Sequence, residues 1–254
     1  MTNPLLGDPS ALFDALLESA GDDAEVTTLA VGAFTIGCQS RRLGLASLAR
    51  PATPEHSHEP VRRPGQLTPS SAKALASRLF AGSVLERSIA IAALNSLLSP
   101  PEDRLLELNA AQLIARRSAG RRVAVVGHFP FVETLRQSAS RVDVFELPEG
   151  WREGDLEASR LPELLPEADV LAISGTTLAN GTLGEILGQV SPSAYVVLVG
   201  GSTPLCPLLF DLGIDALSGA LVASPELALA ALSQGGTFRQ LPGVRRVTLL
   251  CSMP

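Results

Sequence analysis

The chain predicts an α/β protein with a mostly parallel sheet covered by helices on both faces, preceded by a small α+β unit. Three observations carry this. The apolar runs Val123–Val126, Val170–Ile173 and Val196–Val199 are continuous, as buried parallel strands are when helices cover both sides. Each run ends in a small polar loop bearing glycine: Gly127-His128, Ser174-Gly175-Thr176-Thr177, and Gly200-Gly201-Ser202-Thr203. From Arg121 onward, strand, loop and helix alternate at the spacing of right-handed crossovers. The first hundred residues read differently, strands first and helices second, so the expected units are 1–101 and 102–254.

In the first unit, Asp8 can cap a helix whose first turn holds Pro9 and whose apolar stripe is Leu12, Phe13 and Leu16. Residues 26–40 alternate as two strands around Gly32, and 43–48 add a third. Pro51 to Pro69 is a proline-rich loop. Thr68-Pro69 opens a helix carrying Leu75, Leu79 and Phe80, and Gly82 breaks it. The next helix, 84–98, is apolar almost all round and therefore buried, so Asn95 within it needs a polar partner.

In the second unit, a helix over 102–117 ends at Gly120. Strands are expected at 122–127, 142–147, 169–174, 194–200, 214–218 and 245–250, with helices at 131–139, 161–165, 177–188, 204–211 and 225–233.

Composition narrows the function. Hydrophobic residues make up 46% of the chain and charged residues 18%, which is a compact globular protein and not a disordered one. A net charge of −6 with no basic patch argues against nucleic-acid binding. The N-terminus lacks the basic-then-apolar pattern of a secretion signal, and no apolar run approaches the roughly 20 residues of a membrane span. Cys38, Cys206 and Cys251 are odd in number and lack metal or redox spacing. A cytoplasmic location fits these features, and an alanine- and leucine-rich chain of modest charge is compatible with a homodimer.

Ligands of open parallel sheets sit outside the carboxyl ends of the strands, so the three glycine-bearing loops define the expected binding edge. After the first strand comes Gly127-His128-Phe129-Pro130-Phe131, where a dinucleotide fold would have its glycine-rich turn. Only Gly127 is small there, which disfavours standard NAD binding. His128 can serve as a general acid or base, a metal ligand or a hydrogen-bond donor, or it can simply cap the turn. Glu146 lies 19 positions after Gly127, near the spacing of the carboxylate that holds a ribose in dinucleotide folds, although a solvated strand-end carboxylate reads the same way.

The segment from Ser174 to Thr182 joins a strand to a helix, and a helix start suits an anion. Plain capping needs one hydroxyl, whereas Thr176, Thr177, Asn180 and Gly175 together exceed that need. Gly200, Gly201, Ser202 and Thr203 repeat the design before Pro204, the glycine pair allowing close approach of a ligand or of another strand end. His56-Ser57-His58-Glu59 is the one local cluster with metal-ligand residue types, because His56 and His58 share a side of an extended chain. Exposed loop histidines are common, and no further ligand lies nearby.

With these segments identified, the second half resembles the family labelled "putative heavy-metal chelation domain". The matching stretches are Val126 to Phe131, Ser174 to Thr182, Gly201 to Leu205 with Pro207, and Leu212 to Gly219. The first half resembles the companion domain in Thr35-Ile36-Gly37, Gly44-Leu45-Ala46 and Glu86 to Asn95. The resemblance implies an enolase N-terminal-like domain followed by a Rossmann-like domain. It also implies heavy-metal chelation, or a part in making a chelating, flavin-like or pterin-like compound; the cofactor stays open, a divalent or heavy-metal ion being the candidate. The chain lacks a thiol-rich site, which a soft metal would prefer.

The resulting expectation is a small anionic or heteroaromatic ligand at the strand ends. Thr176, Thr177, Ser202 and Thr203 would bind its oxygens, His128 and Glu146 would orient it, Pro130 would stiffen the first turn, and Asn95 would wall the crevice. The rival readings are direct metal binding through His56, His58, Glu59 or His128, and an enzyme acting on a nucleotide-like cofactor.

Overall fold

The computed structural model describes residues 3–49, 59–80, 82–146 and 150–252. In chain order the first part comprises α1 (Pro9–Ser19), β1 (Glu25–Val26), β2 (Thr28–Val31), β3 (Thr35–Gln39), β4 (Leu43–Ser47), β5 (Ser70–Ser71), α2 (Ala72–Ala76) and α3 (Val84–Leu97). The second comprises β6 (Leu105–Leu106), α4 (Ala110–Ser118), β7 (Arg122–Val126), α5 (Val132–Arg136), β8 (Arg141–Phe145), α6 (Leu161–Leu164), β9 (Val170–Ser174), α7 (Thr176–Asn180), α8 (Leu183–Gln189), β10 (Tyr195–Val199), β11 (Ala216–Val222), α9 (Pro225–Ser233) and β12 (Val244–Leu250).

The expected α/β class holds. Strands β2, β3 and β4 form an antiparallel meander followed by helices, and β6-β12-β11-β10-β9-β7-β8 form a seven-stranded sheet. Its strands β7 to β11 are parallel, while β12 and β6 join antiparallel at one edge. Numbered by their own sequence, the parallel strands run 2-1-3-4-5, the flavodoxin-like order, whose direction reverses between β7 and β9.

Side chains alternate along these strands, so each face has its own core. Val123, Val125, Val170, Ala172, Val197 and Val199 pack with α4 and α5 on one face. Ala124, Leu171, Ile173, Val196 and Leu198 face the other way, into a cluster shared with α1, α3, α6, α7 and α8. That cluster contains Leu12, Phe13, Leu94 and Leu205 alike, so the largest apolar interior runs across residue 101. Leu43 and Leu45 of β4 also meet Ala228 and Leu232 of α9.

Local chemistry explains most boundaries. The Asp8 carboxylate accepts from the Ser10 and Ala11 N–H groups at 2.8 and 3.3 Å and starts α1 as expected. α2 begins at Ala72 and not at Thr68-Pro69, because its cap is Ser71, whose hydroxyl accepts the Ala74 N–H at 2.9 Å. β4 lies so close to α3 that a Cβ on Gly44 would stand 2.2 Å from the Ala92 carbonyl oxygen.

Three expected helices are corrected. Over 102–117, Leu105 and Leu106 pair with β12, and α4 starts only after its Asn109 cap. The helix over 177–188 divides at Gly181, whose φ of 73° is left-handed and ends α7. The helix expected over 204–211 is a 3-10 helix that starts later, Pro207–Leu212.

Candidate functional site

The crevice of an open parallel sheet lies where strand order reverses, here at the carboxyl ends of β7 and β9. Gly127 leaves β7 with φ 98°, and a Cβ there would sit 2.9 Å from the Ser174 Cβ at the end of β9. Gly175 continues the contact to the next strand, since a Cβ on it would stand 2.7 Å from the Thr203 nitrogen after β10. The three glycine-bearing loops expected to converge are therefore in direct contact.

Their hydroxyls do different work. Ser174 Oγ and Thr176 Oγ1 are 2.8 Å apart and half-buried at the crevice. Thr177 is buried, and its hydroxyl donates to the Ser174 carbonyl at 2.7 Å, so it is spent on the turn itself. Ser202 is buried too, accepting the Ser47 N–H at 2.8 Å. Thr203 Oγ1 is buried with no hydrogen-bond partner. Asn95 donates to the Leu45 carbonyl at 2.9 Å and to the Ser202 carbonyl at 3.4 Å, while its Oδ1 stays buried and unpaired. Asn95 thus joins α3, β4 and the loop after β10, behind the crevice.

Gly200 adopts φ 122° and faces open space. Gly201 makes room for the Phe238 ring, whose Cε2 would lie 2.8 Å from a Cβ there. Its smallness serves packing. Asn180 is half-buried at the far end of α7, beside Gly181. The anion expected at a long helix start loses its helix, because α7 spans only five residues and little dipole can accumulate.

On the β7 side, Pro130 is exposed, and the Phe129 and Phe131 rings stack with centroids 4.9 Å apart at 9°. Glu146 follows β8, its carboxyl carbon 2.9 Å from the position of a Cβ on Gly150. Its carbonyl accepts the Trp151 indole N–H at 3.0 Å. His128 Nδ1 lies 3.5 Å from Asp155 Oδ2, with side-chain exposures of 17% and 1%. Asp155 had no signal at a strand end. The only hint was the turn it closes with left-handed Gly154, where its carboxylate accepts the Arg152 N–H at 2.8 Å.

His56 and His58 lie outside the described residues, and Glu59 is exposed. Among the described residues no three His, Cys, Asp or Glu side chains are grouped as a metal cage. Cys38 and Cys206 are buried and Cys251 exposed, all as free thiols. Burial pushes the Cys38 thiol up to about 11, against a smaller opposing effect of the Ser96 hydroxyl. His128 and Asp155 together are too few donors for a heavy-metal ion, and soft thiolates are not at hand. The described residues do not fit a metal held by the protein alone.

The profile of the DUF364 family, described as "Putative heavy-metal chelation", matches residues 109–251. That of DUF4213, with the same description, matches residues 13–98. Over 156 residues the chain is 32% identical to uncharacterized protein MJ0500 of Methanocaldococcus jannaschii, covering 59% of this chain and 60% of that curated relative's length. The crystal structure of a DUF364-family protein of unknown function from Desulfitobacterium hafniense superposes with a TM-score of 0.79 at 25% identity, covering 95% of this chain and 98% of the other. A DUF364-family protein of unknown function from Pyrococcus horikoshii gives 0.77 at 22% identity, covering 95% and 99%, a likeness of fold.

Proposed function

The chain belongs to the DUF364 family, which carries the description "Putative heavy-metal chelation", and from that premise we propose that it binds a small chelating molecule, or that molecule's metal complex, at the β7–β9 switch point. The observation that carries this reading is the left-handed Gly127 against Ser174, which sets His128 on one side of the reversal and the Ser174–Thr176 hydroxyl pair on the other. An anionic or heteroaromatic compound, flavin-like or pterin-like in its chemistry, is the class that an imidazole, a hydroxyl pair and stacked aromatic rings would recognise. The compound brings the metal's donors, because the described side chains do not supply them. Three free thiols fit work in the reducing cytoplasm.

Native mass spectrometry of freshly isolated protein tests the reading by revealing a retained compound or ion. The compound so identified is then added back while melting temperature is followed. His128→Ala and Thr176→Ala are each expected to abolish the upward shift. An unchanged shift in both variants removes this site from consideration. Trp151, the single tryptophan of the chain, is held at the end of β8 and gives an independent fluorescence signal.

A further inference from the structure

Asp155 is a carboxylate in an unusual position. Its side chain is 1% exposed, yet no lysine or arginine pairs with it among the described residues, and its Oδ1 has no hydrogen-bond partner. Its Oδ2 takes the Arg152 N–H at 2.8 Å and lies 3.5 Å from His128 Nδ1. A buried carboxylate met only by one backbone N–H is costly, and among the described residues the imidazole is the one ionisable partner beside it that can supply a positive charge. His128 Nδ1 is equally without another partner. Each group lacks what the other offers. At 3.5 Å the two stand just short of a hydrogen bond, and a shift of a few tenths of an ångström makes one.

We infer that Asp155 is a positioning residue for His128: it holds the imidazole in the Nδ1–H form, so that Nε2 carries the lone pair and accepts a proton from the bound molecule. This deepens the ligand-binding reading above and rests on it. The ligand class it selects is a weak acid with an ionisable N–H or O–H, such as an imide, enol or phenol. The proton passes from that N–H or O–H to Nε2. The ligand keeps the electron pair as its anion, and the imidazolium is balanced by the Asp155 carboxylate. A carboxylate fixing an imidazole's tautomer in this way is a general device of proton-transferring sites.

The test needs no ligand. Protein labelled with ¹⁵N in its histidine rings is examined by NMR at a pH where the imidazoles are neutral, with His128→Gln identifying the signals. The expected result is a protonated Nδ1 and a bare Nε2 at His128. In Asp155→Ala the ratio of the two tautomers should fall by at least about tenfold, the size of a charge-assisted hydrogen bond, with recovery in Asp155→Glu. A wild-type His128 carrying its proton on Nε2 overturns the inference even if no Asp155 variant folds. Retention of the Nδ1–H form in folded Asp155→Ala overturns it too. Either result leaves the binding site itself standing, because that depends on the retained compound and its melting shift.

Discussion

The hydroxyl of Ser202, in the loop after β10, accepts the backbone N–H of Ser47 at 2.8 Å, across 155 positions of sequence. One bond thereby fastens a glycine-bearing strand-end loop to the last strand of the antiparallel meander. Asn95 reinforces the seam from α3 by donating to Leu45 and Ser202 carbonyls on its two sides. The strand-end loop is held from behind, which keeps its inner edge fixed beside Gly175.

Ser202→Ala leaves the Ser47 N–H without its acceptor. Because Ser202 is buried, the expected loss is about 1–3 kcal/mol in urea unfolding. A loss indistinguishable from zero would mean that water replaces the hydroxyl and the seam is open.

Gly175→Ala tests the contact between strand ends. Its Cβ would lie 2.7 Å from the Thr203 nitrogen and 2.9 Å from the Ser202 carbonyl carbon, both backbone atoms that cannot swing aside. Destabilisation of about 1–3 kcal/mol is expected. Gly188→Ala is the control, since no atom lies within 4 Å of its Cβ and it sits inside α8. There alanine should be neutral or stabilise by up to about 1 kcal/mol. Equal effects at both positions would contradict the packing described.

Asp23 should make stability depend on acid. Burial raises its carboxyl, but hydrogen bonds from the Ser71 hydroxyl and the Lys73 and Ala24 N–H groups outweigh that and leave it below the ordinary value. A carboxyl lowered by folding contributes stability above its unfolded value of about 3.9, and the contribution disappears as pH falls through the folded value. Asp23→Asn should therefore melt below wild type at pH 7, with the gap narrowing below about pH 4. A gap that stays constant on acidification would show that Asp23 acts through shape alone.

Thiol chemistry should single out one cysteine. Cys251 is exposed, whereas Cys38 is buried with its thiol pushed up to about 11, and Cys206 is buried beside Ser19. Iodoacetamide at pH 8 is expected to label Cys251 first, and Cys38 only on unfolding, as read by peptide mass mapping. Comparable native rates at Cys38 and Cys251 would refute the burial.

Much of this was legible from residues alone, and what was missed has a consistent cause. The runs at 123–126, 170–173 and 196–199 are apolar on both faces, so their place in a covered parallel sheet needed no partner to be identified. Caps such as Asp8 act within three residues of themselves. The short β6 was invisible because Leu105 and Leu106 become strand only by pairing with Leu249 and Thr248, more than 140 positions away. The break at Gly181 has no local signal, because a glycine inside an apolar helical pattern can be tolerated, and only the left-handed turn made there decides otherwise.

By itself the chain determined its α/β class, the positions of its buried strands and the three loops at their carboxyl ends, because periodicity and capping are local. Tertiary structure alone decided which of those loop hydroxyls remain at the crevice and which are consumed in the seam. It also decided that His128 stands beside Asp155. Those outcomes depend on the order in which strands lie side by side, and nothing in the neighbourhood of a single residue encodes that order.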